Sequence, residues 1–100
     1  MNRGDEKEIL RDAVLAITPE FDIDKVYLFG SFAKGQQNDM SDIDLCLETG
    51  RKFSLFNANN YSQRIRLLTG RDVDVVTERS LYPHVRNTML KDRILLYERV

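Results

Sequence analysis

One hundred residues, 42% of them hydrophobic, suit one domain over residues 1–100 with a modest core and argue against disorder. Fifteen Lys and Arg against sixteen Asp and Glu leave a formal net charge of -1, which excludes broad, sequence-independent nucleic-acid binding, since that needs a cationic face to release counterions. A lone cysteine, Cys46, excludes an internal disulfide and a cysteine zinc cluster. With neither a signal-peptide core nor an apolar stretch of membrane-spanning length, a reducing cytoplasmic setting is expected.

Along the chain, Ile9, Leu10, Ala13, Val14 and Ile17 recur at helical spacing, and Thr18-Pro19 ends that helix. Lys25 to Phe29 follows, with Val26, Tyr27, Leu28 and Phe29 a continuous apolar run stopped by Gly30, the pattern of a strand buried on both faces. Ser31 to Gly35 reads as a turn or a single helical turn, and Gln36 to Ser41 as a polar loop. Asp42 to Glu48 alternates strictly, with Ile43, Leu45 and Leu47 on one face and Asp42, Asp44, Cys46 and Glu48 on the other, which predicts a strand.

A second long helix is expected from an N-cap at Ser54 to Thr69, closed by Gly70, with Leu55, Ala58, Tyr61, Ile65 and Leu68 as its apolar stripe. Asn57, Asn59 and Asn60 lower the helix propensity of its first half. Asp72 to Thr77 is a third strand. Ser80 is a candidate cap for a further helix with Pro83 in its first turn and Val85, Met89 and Leu90 facing inward, and Ile94 to Tyr97 returns as a last strand or docked tail. The second strand follows the first too closely for a helical crossover. The expected fold is therefore α/β in the α+β sense, a small mixed sheet flanked by helices.

Asp42 and Asp44 carry the chemistry. Period-2 geometry puts both carboxylates on one face, roughly 7 Å apart at the backbone. Like charges so placed repel unless a cation lies between them, and hard oxygen ligands suit Mg²⁺ or Mn²⁺. Such a short motif is more often just a solvated strand face. The third strand shifts that balance: if Val73 and Val75 share the core with Ile43 and Leu45, then Asp72 and Asp74 share the acidic face. A third carboxylate there is what a two-metal site requires. Position favours Asp74, because Asp72 lies at the strand start. At the end of the first strand Gly30 lets a ligand approach the backbone. Ser31 opens a turn with free N–H groups and a hydroxyl for phosphate, and Lys34 is near enough in sequence to add a positive charge.

The run GSFAKGQQNDMSDIDLCLE, Gly30 to Glu48, resembles the nucleotidyltransferase superfamily that includes polymerase beta and matches its pattern of Gly-Ser, ten residues, Asp-x-Asp. RDVDVVTE, Arg71 to Glu78, and SLYPHVRNTMLKDRILLYE, Ser80 to Glu98, are similar to the minimal nucleotidyltransferases, the MntA-type antitoxins. The resemblance implies the polymerase beta-like nucleotidyltransferase fold. It implies Gly30 and Ser31 holding the triphosphate of ATP, Asp42 and Asp44 binding two Mg²⁺ ions (or Mn²⁺), and Asp74 completing the second metal site. Lys34 stands where the family usually has arginine; it keeps the charge and loses the bidentate fork. The resemblance further implies a hetero-oligomeric partner, a HEPN-domain toxin silenced by transfer of AMP from ATP to a tyrosine.

Three functions compete at this point: protein-AMP transfer, a non-catalytic antitoxin that neutralises by binding, and nucleotidyl transfer to a small molecule or an RNA end. The three aspartates argue against the second, and the near-neutral charge argues against RNA. A chain of this length has no room for an acceptor-holding domain, so the acceptor is expected to be small or brought by another protein. His84 is expected at the surface of the last helix, Cys46 as a small side chain lining the acidic face, and Asp39 and Glu48 as solvated. Phe56, Tyr82 and Tyr97 are expected in the core or an interface.

Overall fold

The computed structural model describes residues 3–36, 38, 42–89 and 91–100. The elements follow the order α1 (Arg3–Ile17), β1 (Ile23–Phe29), α2 (Ser31–Lys34), β2 (Ile43–Thr49), α3 (Leu55–Thr69), β3 (Val73–Thr77), α4 (Pro83–Met89) and β4 (Ile94–Glu98). Single 3₁₀ turns lie at Thr18–Glu20 and Glu78–Ser80. The strands form one mixed sheet in the order β3-β2-β1-β4. β1 pairs antiparallel with both β2 and β4, while β2 and β3 run parallel, joined by α3. The expected α+β architecture with a mixed sheet is what forms.

α1 and α3 pack on one face of the sheet and close the core there. Leu10, Val14 and Ile17 from α1 and Tyr61 and Ile65 from α3 meet Val26 and Leu28 of β1 and Ile43, Leu45 and Leu47 of β2. Each such side chain contributes about 1.5–3 kcal/mol when fully buried. Thr18 is fully buried where α1 gives way to the 3₁₀ turn. Its hydroxyl shares a 2.7 Å hydrogen bond with the phenol of Tyr61, which satisfies both polar groups inside the core. Burial pushes the Tyr61 phenol up to about 12.

Both ends of α3 are set by local chemistry. The Ser54 side chain accepts from the Asn57 N–H at 3.2 Å, and the Asn57 side chain accepts from the Ser54 N–H at 3.0 Å. Asn57, which lowers propensity in a helix interior, thus completes a capping box. Gly70 ends the helix in the left-handed conformation at φ 74°. The apolar stripe is shorter than expected. Tyr61 and Ile65 are buried, but Leu55 and Leu68 are 89% and 54% exposed, Leu68 lying at the surface beside Ile9, Ala13 and Ala16 of α1.

Three further expectations are corrected. Ser80 caps no helix: it lies in the 3₁₀ turn, and its hydroxyl donates to the Thr77 carbonyl at 2.8 Å. Of the two places expected for Phe56 and Tyr82, the core or an interface, exposure removes the core, and Tyr82 stacks on the exposed His84 ring. β1 begins at Ile23, two residues before the apolar run, because a bulge between Ile23 and Lys25 lets the strand keep its pairing with Thr49. Val85 is half-buried, while the inward packing expected of Met89 and Leu90 and the place of Asp39 fall outside the described residues. No helix among the described residues is long and apolar enough to cross a membrane.

Candidate active site

The second face of the sheet carries the polar half of the β2 alternation. With Ile43, Leu45 and Leu47 committed to the core, Asp44, Cys46 and Glu48 point to the other side. The pairing register fixes their neighbours. Phe29 of β1 lies opposite Asp44, and on the other flank Asp44 lies opposite Asp74 of β3. Val73 and Val75 pair with Ile43 and Leu45, the alignment on which a shared acidic face depended. Asp72 precedes β3. Its carbonyl accepts the first ladder bond from Ile43 N–H at 2.9 Å, and its carboxylate lies 3.3 Å from Arg66 on α3. Of the two aspartates the sequence left open, Asp74 is therefore the one facing Asp44.

Gly30 closes the remaining side. It sits between β1 and α2 at φ 76°, ψ -155°, a backbone region reserved almost wholly for glycine. A Cβ built on it would lie 2.5 Å from Asp44 Oδ2, so the missing side chain is what leaves room for that carboxylate. Ser31 follows as the first residue of α2, half-exposed, its carbonyl taken by Gln36 N–H at 2.8 Å. The first N–H groups of such a turn have no acceptor within it. Lys34 lies at the far end of α2, where its ammonium pairs with Asp92 at 3.8 Å, both side chains about half exposed.

Electrostatics mark Asp44 as the stressed member. Burial raises its carboxyl above the usual value, and the charges of Asp74 and Asp42 push the same way. Among the described residues no hydrogen bond or ion pair reaches the side chain of Asp42, Asp44 or Asp74. This is a donor set in need of a cation: hard carboxylate oxygens, mutually repelling, with glycine backbone beside them. Among the described residues no three His, Cys, Asp or Glu converge as a ready-made cage. Carboxylate oxygens of this kind suit a divalent cation that fills the rest of its shell with water and phosphate oxygens.

Farther along the same face, Tyr27, Phe29, Cys46, Glu78, Leu81, Arg86 and Arg93 line a shallow pocket. Arg93 lies over the Tyr27 ring at 4.2 Å. Cys46 lines this face as expected and is buried, its thiol pushed up to about 11 by desolvation and by Glu78. Glu48, expected to be solvated, is half-buried beside Glu78, and burial followed by the Glu78 charge raises its carboxyl. Sequence reading missed that pair, because Glu78 lies beyond the β3 alternation in a turn with no pattern of its own.

Residues 14–100 match the family described as polymerase beta, nucleotidyltransferase. The chain belongs to the polymerase beta nucleotidyltransferase family. Among nucleotidyltransferases it is similar to a protein of Methanocaldococcus jannaschii provisionally named a protein adenylyltransferase, with 31% identity over 86% of this chain and 87% of that one. A solved structure described provisionally as a minimal nucleotidyltransferase shares 30% identity and a TM-score of 0.82, over 94% of this chain and 95% of the other. A chain from the solved complex of a tri-AMPylated Shewanella oneidensis HEPN toxin with an MNT antitoxin gives a TM-score of 0.71 at 17% identity, over 94% of this chain and 73% of its own. At that identity the likeness speaks for the fold.

Proposed function

We propose that this nucleotidyltransferase moves AMP from ATP onto a hydroxyl of a partner protein, a HEPN-type toxin, and so acts as its antitoxin. The observation that carries the chemistry is the cross-strand pairing of Asp44 with Asp74, against which Gly30 leaves open backbone. In this reading Asp42 and Asp44 ligate two divalent ions and Asp74 completes the second site. Gly30 admits the triphosphate close to the chain, and Ser31 offers its hydroxyl and N–H groups to phosphate oxygens. When bound, the ions neutralise the triphosphate and ready the attacking oxygen. Transfer joins the acceptor oxygen to the α-phosphorus and releases pyrophosphate, so the chain's own work is alignment and charge placement. Lys34 supplies a positive charge near the phosphates, an assignment that needs it to leave Asp92.

The protein acceptor is supported by the adenylyltransferase name of the Methanocaldococcus relative and by the fold shared with a chain of the AMPylated toxin complex. The test uses purified protein, ATP, Mg²⁺ and a HEPN toxin encoded beside it. The toxin's mass should rise by one or more AMP units, and peptide mapping should place the label on a hydroxyl side chain. Asp42→Asn and Asp44→Asn should abolish labelling and toxin neutralisation together. Neutralisation that survives in both variants would make the protein an antitoxin by contact. Label on RNA or a small molecule with an unmodified toxin would overturn the protein acceptor.

A further inference from the structure

We propose that Arg71 is a positioning residue for the active site, an inference that rests on the nucleotidyl-transfer reading above. Arg71 follows Gly70, whose left-handed turn ends α3, and stands two residues before the start of β3 at Val73. From there it reaches three other parts of the chain. One guanidinium nitrogen donates to the Asn38 carbonyl at 2.6 Å, and the other binds Glu6 of α1 at 2.7 Å. Arg71 Cζ lies over the Phe32 ring, 4.9 Å from its centre. Phe32 is itself 1% exposed and follows directly on Ser31.

These contacts converge on the segments that carry the site. Phe32 anchors the Gly30-Ser31 turn, Asn38 lies on the approach to Asp42 and Asp44, and Arg71 sits three residues before Asp74. Among the described residues, the contacts of Arg71 to Asn38, Glu6 and Phe32 include none of the proposed site residues Asp42, Asp44 and Asp74. The Arg71–Glu6 pair is the least exposed ion pair among the described residues, at 14% and 22%, so water screens it least. The planar fork matters here. One guanidinium binds a carbonyl and a carboxylate along its edge while its face covers an aromatic ring, a combination lysine cannot reproduce. The residue fixes how far the phosphate-side turn stands from the carboxylate strands.

The test compares Arg71→Met, Arg71→Lys and Glu6→Gln at a temperature where circular dichroism shows each folded. Mn²⁺·ATP affinity is read by paramagnetic resonance titration alongside kcat and KM for transfer. Glu6→Gln removes the half-buried ion pair but leaves Asn38 and Phe32 in contact with Arg71. It should lower the melting temperature while keeping Mn²⁺·ATP affinity within about threefold of the parent. Arg71→Met should weaken that affinity about tenfold or more and lower kcat, with Arg71→Lys recovering only part. If Arg71→Met does not fold, the lysine variant against Glu6→Gln carries the comparison. Parent-like affinity and kcat in a folded Arg71 variant, or an equal loss in Glu6→Gln, would overturn the positioning role. Failure of the parent protein itself to bind Mn²⁺·ATP would overturn the functional reading and this inference with it.

Discussion

Replacing Gly30 by alanine separates what the site demands from what the fold demands. The backbone at Gly30, φ 76° and ψ -155°, lies where a side chain costs about 1–3 kcal/mol. For a chain of this size that corresponds to a fall in melting temperature of roughly 4–24 °C, at about 4–8 °C per kcal/mol. The new methyl would also lie 2.5 Å from Asp44 Oδ2. A carboxylate is the movable end of its side chain, so the clash is relieved by swinging Asp44 aside. It then registers in ligand binding more than in stability. Gly35→Ala is the matched control: φ is 70°, a Cβ there meets nothing within 4 Å, and the left-handed backbone costs about 1–2 kcal/mol. Both variants should melt lower by circular dichroism. In calorimetric titration with Mg²⁺·ATP, Gly30→Ala should lose about tenfold or more in affinity and Gly35→Ala less than about twofold. Equal affinities in the two variants would refute the claim that Gly30 is kept open for Asp44.

In metal-free buffer the raised Asp44 carboxyl favours the native state at low pH. The native state holds that proton above the unfolded value, so stability should fall as pH rises from the unfolded value through the raised one. The slope should flatten in Asp44→Asn, read as the difference in melting temperature between the two proteins across pH 3–7 at roughly half-unit steps. Tyr61→Phe leaves the fully buried Thr18 hydroxyl without its 2.7 Å partner and should cost about 1–2 kcal/mol in denaturant unfolding, with ATP affinity unchanged below the melting point. Cys46, its thiol pushed up to about 11 and its side chain buried, should resist alkylation at pH 8 in the native state and react at the ordinary rate once urea unfolds the chain; rapid labelling of native protein would contradict its placement.

The parts that sequence reading captured are those in which local chemistry and tertiary demand agree. The β2 alternation, the Ser54 and Gly70 ends of α3 and the turn after Gly30 are each dictated within a few residues. Asp74 was favoured over Asp72 on position alone; the deciding fact, the register of β3 on β2, depends on how α3 spans the sheet. Leu55 and Leu68 misled because periodicity gives the direction of a helix face but not the extent of the surface beneath it. Arg71 carried no signal of its own, since its partners Glu6, Phe32 and Asn38 lie 33 to 65 residues away in the chain.

Among the described residues β3 is an edge strand, paired only with β2, and its outer side carries backbone groups outside that ladder. Such edges invite a second molecule to add its own strand. Here the edge bears Asp74, with Asp72 just before it, and two copies aligned edge to edge would bring these charges into proximity. In the proposed function that carboxylate serves the active site, and the same charge would oppose edge-to-edge pairing of two copies. Neutralising Asp74 to silence the chemistry removes that opposition as well. A loss of activity in Asp74→Asn should accordingly be read beside its sedimentation profile, because aggregation through β3 would mimic a catalytic defect.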